Sequence, residues 1–207
     1  MSALITFEGC EGVGKSTQIQ KLATWLRERG QDVLITREPG GSAIAESIRR
    51  ILLDGKNTAM TAECEALLYA AARVQHLKEI VQPALERGAT VLCDRYVHSS
   101  LAYQGYGRGL GTEYVRSVNA YALENFMPDC TVFFDLPPEL GFARKKGADA
   151  DDRMETAGLA FHDRVYAGYL AQKAMFPDTF EVVDANGTID EIFERVLAVL
   201  DKHGLIG

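Results

Sequence analysis

One short segment of the chain has the residue types and spacing that phosphate binding requires. It covers residues 9–16 and reads Gly-x-x-x-x-Gly-Lys-Ser. Glycines let several backbone N–H groups converge on an anion, and the N-terminus of a following helix adds a positive field at the same place. Lys15 can then reach the β- and γ-phosphates, and the Ser16 hydroxyl can bind Mg²⁺. The pattern therefore predicts a nucleoside triphosphate site.

The sequence on both sides of this loop favours the same interpretation. Residues 4–7 are apolar and typical of a buried strand. After the loop, apolar residues recur with the spacing of one helical face, at Ile19, Leu22, Ala23 and Leu26. Gly30 is a typical helix stop. Because a strand, a glycine-rich loop and a helix follow in this order, a chance match to the loop pattern is a poor explanation.

A carboxylate is predicted beside the loop. Residues 90–93 are typical of a buried strand, and Asp94 follows them directly. Parallel strands end at the same edge of a sheet, so Asp94 is expected near Ser16, where the two side chains can hold Mg²⁺. The alternative is a surface aspartate that caps the next segment.

Single arginines lie on segments that loops or helix faces can bring to one crevice: Arg37, Arg49, Arg73, Arg95 and Arg153. Arg37 and Arg95 each follow a predicted strand. Arg73 lies four residues after Tyr69, on the same helical face. A guanidinium binds a phosphate through two parallel hydrogen bonds, and an aromatic ring stacks on a base. The set indicates a second, phosphate-bearing substrate. The alternative for Tyr69 and Arg73 is an amphipathic core ring beside a solvated arginine.

Strands and helices alternate along the chain. Strand patterns cover residues 4–7, 33–35, 90–93, 131–134 and 180–183. Helical patterns cover residues 44–52, 63–85 and 113–126, a segment after Pro138, and a final helix that Thr188 and Glu191 begin as a capping box. This alternation predicts one α/β domain over residues 1–207 with a parallel sheet, and a small lid over about residues 145–153.

The composition excludes several classes of protein. The 207 residues include 22 Lys+Arg and 29 Asp+Glu, a net charge of −7, and 47% are hydrophobic. Such a chain buries a core and lacks the basic surface of proteins that coat nucleic acid. No apolar run approaches the roughly 18 residues of a membrane span, and no signal-peptide pattern is evident. We expect a cytoplasmic enzyme without nucleic-acid or membrane partners.

The four cysteines are Cys10, Cys64, Cys93 and Cys130. They are widely spaced and form no C-x-x-C pair, which argues against a zinc ribbon and a disulfide framework, so buried or incidental thiols are predicted. Cys10 precedes a predicted helix N-terminus, a position that lowers the pKa of a thiol and can make it redox-sensitive. The alternative is an inert spacer residue in the loop.

Four strings together resemble bacterial thymidylate kinase. They are FEGCEGVGKST at residues 7–17, TREPGG at 36–41, YAAAR at 69–73 and DRYVHSSLAYQG at 94–105. The resemblance implies the P-loop NTPase fold, with a five-stranded parallel sheet of order 2-3-1-4-5 flanked by helices, and one nucleotide monophosphate kinase domain. It also implies a homodimer and Mg²⁺-dependent transfer of the ATP γ-phosphoryl group to dTMP. The products are dTDP and ADP, within dTTP biosynthesis.

The resemblance also implies roles for individual residues. ATP binding falls on the phosphate loop and one later arginine: Cys10, Glu11, Gly12, Val13, Gly14, Lys15, Ser16, Thr17 and Arg144. dTMP binding falls on Glu11, Arg37, Arg49, Tyr69, Arg73, Arg95, Ser100, Tyr103 and Gln104. Within this set, the Tyr69 ring stacks on thymine, Arg73 and Gln104 contact the base edge, and Tyr103 lies against the deoxyribose. Catalysis is assigned to Lys15, Arg153, Glu11 and Arg95, and metal binding to Ser16 and Asp94.

The phosphate loop lacks an arginine that one class of the family has there. The positive charge that stabilises the transition state must therefore come from another residue. Where one class of the family carries an arginine in the phosphate loop, this sequence has Gly12. Arg153 occupies the matching lid position of the bacterial class, with Arg144 as the second candidate. Residues 148–152 beside it are unusually acidic, and their carboxylates are predicted to pair with Arg153 when the site is empty.

Two other functions remain open at this point. Another small nucleoside or nucleotide kinase shares the loop and lid but is expected to lack the strings at residues 37–41 and 99–105. A P-loop switch or motor ATPase needs a base-reading or coupling element, such as the N-K-x-D sequence of GTPases, and this chain has no such string.

Overall fold

A computed structural model describes residues 2–145 and 152–206 of the chain. Its five strands are β1 (Ala3–Glu8), β2 (Val33–Arg37), β3 (Thr90–Asp94), β4 (Cys130–Asp135) and β5 (Phe180–Asp184). They form one parallel sheet in the order β2-β3-β1-β4-β5, which confirms the predicted fold class and strand order. Each strand overlaps a predicted one and differs from it by at most two residues at either end.

Helices and helical turns connect the strands. The α-helices are α1 (Lys15–Arg27), α2 (Ala43–Leu53), α3 (Ala62–His76), α4 (Gln82–Glu86), α5 (Val97–Ser100), α6 (Thr112–Val118), α7 (Ala120–Asn125), α8 (Pro138–Lys145), α9 (Leu159–Met175) and α10 (Ile189–Lys202). Two π-helical segments, Leu77–Val81 and Leu101–Gly107, continue α3 and α5, and a 3₁₀ turn covers Glu155–Ala157. The predicted capping box of α10 is present, with Thr188 and Glu191 bonded reciprocally.

The core lies on both faces of the sheet. Every residue of β1 is buried, and β4 is buried from Cys130 to Phe134. Strands covered by helices on both faces read as continuous apolar runs, which is why the sequence located them well. Phe7 stacks on Phe134, and Phe133 stacks on Tyr169 of α9 and on Phe180 of β5.

Several helices differ from those predicted from the sequence. The helix predicted over residues 63–85 contains a π-helical insertion at Leu77–Val81, and the one predicted over residues 113–126 breaks at Asn119. The segments Val97–Gly107 and Leu159–Met175 were not predicted as helical. Glycines and serines dilute the apolar period in the first, whereas the second carries apolar residues around its whole circumference, so neither has a single apolar stripe.

The carboxyl edge of the sheet brings the predicted site together. Asp94 pairs in register with Phe7 of β1 on one side and with Arg37 of β2 on the other. The phosphate loop, which follows β1, therefore lies next to the ends of β2 and β3. This is the edge at which ligands bind in open parallel sheets.

The predicted lid lies mostly outside the described residues, since residues 146–151 are not among them. Beyond this gap, Asp152 forms an antiparallel bridge with Asp54, and the Arg153 backbone N–H donates to the carbonyl of Leu53 at 3.0 Å. The end of the predicted lid is thus held on the C-terminal end of α2. Among residues 2–145 and 152–206, no helix has the length and hydrophobicity that crossing a bilayer requires.

Candidate active site

One cleft at the carboxyl edge of the sheet, with a volume of about 470 Å³, collects most of the predicted site residues. It is lined by Glu11, Gly12, Val13, Gly14, Lys15, Ser16, Thr17, Arg37, Arg49, Tyr69, Arg73, Asp94, Arg95, Ser100, Tyr103, Gln104 and Arg144, among others. Of the predicted residues, Cys10 and Arg153 are not among the described residues that line it.

The phosphate loop is fixed by its glycines and by its lysine. Gly12 has φ +73°, and a Cβ at this position would lie 1.9 Å from the carbonyl oxygen of Gly141 on α8. Only glycine allows this close approach. The Lys15 ammonium donates to the carbonyls of Gly9 at 3.0 Å and Cys10 at 3.1 Å. Burial lowers the pKa of Lys15, and the like charge of Arg95 acts in the same direction. The lysine therefore bends over the loop at the place where phosphates are expected.

Ser16 and Asp94 form an oxygen-rich corner beside the loop. The Ser16 hydroxyl donates to Asp94 Oδ2 at 3.3 Å. The second carboxylate oxygen, Oδ1, is buried and has no hydrogen-bond partner among the described residues. A hydroxyl and an incompletely satisfied carboxylate are the oxygen ligands that a hard divalent cation such as Mg²⁺ takes. The donor set fits the predicted metal site and disfavours the surface-cap alternative for Asp94.

Arg95 is bound to the phosphate loop through two of its residues. Its backbone is left-handed, with φ +69°, and its guanidinium donates to the carbonyl of Gly9 at 3.1 Å. The same guanidinium forms an ion pair with Glu11. Burial by itself would raise the pKa of Glu11, but Arg95 and then Lys15 outweigh it and lower that pKa to about 2. The loop carboxylate is therefore ionised across the physiological pH range.

A buried carboxylate holds the side chains that contact Arg95. The sequence predicted no role for it. Glu8, the last residue of β1, accepts from the Tyr96 N–H at 2.7 Å, the Ser99 hydroxyl at 2.6 Å and the Tyr169 hydroxyl at 2.9 Å. Ser99 and Tyr169 in turn contact the Arg95 guanidinium at 3.3 Å and 3.2 Å. Burial raises the pKa of Glu8, and these hydrogen bonds oppose that effect. Tyr169 lies on α9, which the sequence did not predict, so this support could not be foreseen.

At the other end of the cleft, Arg73 is held by protein groups. It is 2% exposed, and its Nε lies 2.7 Å from Glu38. Its other nitrogens donate to the Ser100 hydroxyl and the Tyr96 carbonyl, each at 3.1 Å, and to Asn119. Burial by itself would raise the pKa of Glu38, but Arg73 and His76 together outweigh it, and the net shift is downward. The alternative of a solvated arginine is therefore wrong. Arg73 lies beside Ser100, as the predicted base-edge role requires.

Arg37 and Arg49 form a positive corner of the cleft. Their guanidinium groups donate to the same carbonyl, that of Pro39, at 3.0 Å and 2.9 Å. Glu46 pairs with Arg37 at 2.9 Å. Burial lowers the pKa of Arg49, and the nearby charge of Arg37 lowers it further. Two guanidinium groups with one carboxylate between them leave a net positive charge that an anionic ligand can neutralise.

The two candidate lid cations lie in different surroundings. Arg144 lines the cleft and donates to the carbonyl of Ala185 at 2.8 Å. Arg153 instead pairs with Glu65 at 2.6 Å and donates to the carbonyl of Leu52 at 3.1 Å. The predicted pairing of Arg153 with the acidic residues 148–152 is not found for Asp152, the one member of that stretch that the structure describes. Its partner is a carboxylate on α3, for which the sequence gave no signal.

The thiols are buried or incidental, as predicted. Cys10, Cys93 and Cys130 are buried, Cys64 is exposed, and all four are free. Burial raises the pKa of the Cys10 thiol to about 12, which overrides the effect of the helix N-terminus and keeps the thiol protonated. The inert-spacer alternative for Cys10 is favoured over the redox-sensitive one.

Comparison with known proteins identifies the family. The family profile described as thymidylate kinase matches residues 7–196. The chain belongs to the thymidylate kinase family. It is 51% identical over 199 residues to the thymidylate kinase of Bacillus pumilus, covering 95% of this chain and 93% of the relative. It is 48% identical over 197 residues to that of Geobacillus thermodenitrificans, covering 94% and 88%.

A crystal structure of thymidylate kinase from Ehrlichia chaffeensis has a TM-score of 0.79 and 29% identity, covering 96% of this chain and 98% of that one. The known reaction of thymidylate kinases is phosphorylation of dTMP to dTDP with ATP as the phosphate donor. Membership of this family excludes the switch-ATPase alternative and any kinase of a different family.

Proposed function

We propose that the two ends of this cleft bind MgATP and dTMP, and that Arg95 lies between them at the point of phosphoryl transfer. The observation that supports this proposal is the position of Arg95, which pairs with Glu11 of the loop and lies 5.2 Å from the ring of Tyr103, a residue assigned to the acceptor. Phosphoryl transfer needs little covalent help, so fixed cations around the moving group account for most of the catalysis. Residues 1–207 then act as one nucleotide monophosphate kinase domain.

At the donor end, the backbone of residues 9–16 and Lys15 bind the ATP phosphates. Ser16 and Asp94 would hold Mg²⁺, which neutralises charge on the β- and γ-phosphate oxygens. Support for the metal comes from the unsatisfied Asp94 Oδ1 and its neighbouring hydroxyl. Arg144, on the same side of the cleft, is available to the nucleoside portion of ATP.

At the acceptor end, Arg37 and Arg95 bind the dTMP phosphate, and Arg49 adds positive charge beside Arg37. Tyr69, which is half-buried and lines the cleft, stacks on thymine. Arg73, Ser100 and Gln104 contact the base edge. The Tyr103 ring lies 5.2 Å from the Arg95 guanidinium, which suits a position against the deoxyribose that excludes a ribose 2′-hydroxyl.

The transition-state cation is Arg153, with Arg144 as the second candidate. For Arg153 to act, its guanidinium must leave Glu65. Arg108 also pairs with Glu65, at 3.0 Å, so the buried carboxylate keeps one cationic partner when Arg153 departs. Because an unpaired buried carboxylate is strongly destabilising, this second arginine lowers the cost of releasing Arg153.

We also propose that the protein is a homodimer through the exposed face of α2 and α3. Ile44 and Ile51 are seven residues apart on α2, and Leu67 and Val74 are seven apart on α3, so each pair lies on one helical face. All four are among the exposed large apolar side chains. The two helices pack against each other, so the pairs can form one apolar surface.

Sedimentation or size-exclusion measurements test the dimer. Leu67→Arg is expected to give monomer, whereas Leu170→Arg, a matched change at an exposed leucine of α9, leaves the dimer intact. A monomeric parent protein, or a Leu67→Arg variant that stays dimeric, would contradict this interface. Cytoplasmic location remains a prediction from the sequence.

Acceptor choice tests the function. Purified protein with MgATP is assayed by coupled ADP release against dTMP, dUMP, UMP, CMP and AMP. We expect efficient turnover of dTMP and poor turnover of UMP, since Tyr103 opposes a 2′-hydroxyl. A clear preference for AMP or CMP over dTMP would contradict the proposal.

A further inference from the structure

Glu65 contacts Gln104, one of the residues expected to contact the base, from the side away from the cleft. It is on α3, four residues before Tyr69, and is 1% exposed. One of its oxygens accepts from the Gln104 side-chain amide nitrogen at 2.7 Å. Gln104 lines the cleft, whereas Glu65 is not among the described residues that do. Gln104 is therefore the contact through which Glu65 can act on a base bound in the cleft.

The position of this carboxylate is fixed by two arginines from distant parts of the chain. Arg108, after the π-helical segment, lies 3.0 Å from Glu65, and Arg153, at the end of the predicted lid, lies 2.6 Å from it. A carboxylate at this depth is tolerated because it is paired, and pairing from two sides restricts its movement. When Arg153 leaves Glu65 for transfer, Arg108 still pairs with the carboxylate, so Gln104 keeps the same acceptor.

A carboxylate determines which way a glutamine amide points. An ionised carboxylate can only accept hydrogen bonds, so the Gln104 nitrogen must face Glu65 and its oxygen must face away. An amide oxygen accepts a hydrogen bond but cannot donate one. Uracil-type rings, including thymine, carry a hydrogen on ring nitrogen N3, whereas a cytosine ring has a lone pair there. An oriented Gln104 can therefore distinguish the two ring types.

We propose that Glu65 is a positioning residue that sets the pyrimidine specificity of the acceptor end. It holds Gln104 so that the amide oxygen accepts from N3–H of thymine and repels the N3 lone pair of cytosine. The inference rests on the proposed function, since it takes the Gln104 end of the cleft as the base pocket. It parallels the neighbouring pair, in which buried Glu38 holds Arg73.

Replacing Glu65 with glutamine keeps the size of the side chain but no longer determines which way the Gln104 amide points. A glutamine at this position can accept from or donate to Gln104, so the Gln104 amide can turn over and offer its N–H to N3 of cytosine. In Glu65→Gln we therefore expect the ratio of kcat/KM for dTMP to kcat/KM for dCMP to fall by about tenfold or more, the size of one lost hydrogen-bond preference.

Steady-state kinetics with both acceptors at saturating MgATP provide the test. The matched control is Glu181→Gln, which changes another buried carboxylate with several cationic partners, Lys202 at 2.7 Å among them, outside the cleft. Its ratio should equal that of the parent. In a Gln104→Ala background, Glu65→Gln should leave the ratio unchanged, because the group it orients is gone.

Each result has a distinct meaning. An unchanged ratio in Glu65→Gln, or an equal fall in the Gln104→Ala background, overturns the role of Glu65 while dTMP turnover by the parent still supports the kinase function. A parent that does not phosphorylate dTMP overturns the proposed function itself. If Glu65→Gln does not fold, Glu65→Asp retains the charge and withdraws the acceptor by about 1.5 Å, one C–C bond. The same fall in the ratio is expected there, and an unchanged ratio overturns the proposal.

Discussion

The two ends of the cleft are built in different ways. Apart from Asp94 and Arg144, the proposed donor end comes from one contiguous segment, residues 9–16, and Lys15 contacts two carbonyls of that segment. The acceptor end uses side chains from β2, α2, α3 and the π-helical segment at Leu101–Gly107, and buried carboxylates stand behind two of them, Glu38 behind Arg73 and Glu65 behind Gln104. A backbone-built site binds a feature common to all nucleotides, whereas a side-chain-built site can select among bases.

This difference separates the expected effects of mutation. Changes at the donor end should impair transfer to every acceptor, because they affect the phosphoryl donor. Changes at the acceptor end should alter the affinity for dTMP or the choice of base and leave donor binding intact. Mutations at each end of the cleft test that separation.

Loss of the loop lysine should have the largest effect. In Lys15→Met, kcat is expected to fall on the order of 10³-fold with every acceptor, because a fixed positive charge at the transferred phosphate is removed. Isothermal titration should show little change in dTMP binding. Lys21→Met, which changes a lysine of α1 that pairs with Asp190 of α10 and does not line the cleft, should retain the parent kcat. Weakened dTMP binding in Lys15→Met together with normal kcat would contradict the separation.

Arg153 is the most demanding test of this separation. It pairs with Glu65 behind the acceptor end, yet it is proposed to act on the transferred phosphate. Arg153→Ala is expected to lower kcat by a factor on the order of 10³ with little loss of dTMP affinity. The control Arg87→Ala, which removes an exposed arginine paired with Asp32, should have the parent kcat. An unchanged kcat in Arg153→Ala, with a low kcat in Arg144→Ala, would transfer the role to Arg144.

The contact between Gly12 and Gly141 predicts a loss of stability at the donor end. Gly12→Ala places Cβ in a left-handed backbone and against the Gly141 carbonyl, so the free energy of unfolding should fall by about 3 kcal/mol. Gly88 also has positive φ, but a Cβ there meets nothing within 4 Å. Gly88→Ala should therefore lose only about 1 kcal/mol in chemical denaturation. Equal losses of stability in the two variants would show that α8 shifts to make room for the added methyl group.

Acid should lower the stability of the whole fold, because the folded state keeps the buried His98 side chain unprotonated. Burial lowers the pKa of His98 to about 3, from an ordinary value of 6.5. Between these values the unfolded state binds a proton that the folded state does not, so stability falls as the pH is lowered below 6.5. From pH 6.5 to 5 the loss from this residue is about 2 kcal/mol.

Denaturant unfolding of the parent and of His98→Gln at pH 7 and pH 5 measures this loss. The parent should lose more stability than the variant on acidification. An identical pH dependence in the two proteins would show that His98 does not cause it.

Removal of the stacking ring should have the smallest of these effects. Tyr69→Ala is expected to raise the KM for dTMP by about tenfold, because base stacking contributes roughly 1–3 kcal/mol, while kcat and the KM for ATP change little. Tyr69→Phe keeps the ring and should behave like the parent. Unaltered dTMP binding in the alanine variant would show that the ring serves only the fold.

The sequence predicted the donor end well because its information is local. The loop spacing at residues 9–16 and the position of Asp94 after a buried strand are readable without knowledge of packing. The sheet order came from the family resemblance and is confirmed. The partners of Arg153 and Gln104 were not predictable, because Glu65 meets them only through the packing of α3 against segments 39 and 88 residues further along the chain.

The residues that position Arg95 were not predictable from the sequence for a similar reason. Tyr169 reaches Glu8 from α9, a helix whose apolar residues point in several directions and give no amphipathic period. Asn119, which ends α6 and contacts Arg73, likewise interrupted what the sequence pattern suggested was one helix. Residues that orient others leave weaker sequence signals than residues that touch the phosphates.

Product identification tests the central claim most directly. Purified protein, MgATP and dTMP are incubated, and the nucleotides are separated and quantified over time. Transfer between the two ends of one cleft predicts that dTDP and ADP appear in equal amounts, and that neither forms when dTMP is omitted. ADP formed without dTDP, at the same rate with and without dTMP, would contradict this account of the cleft.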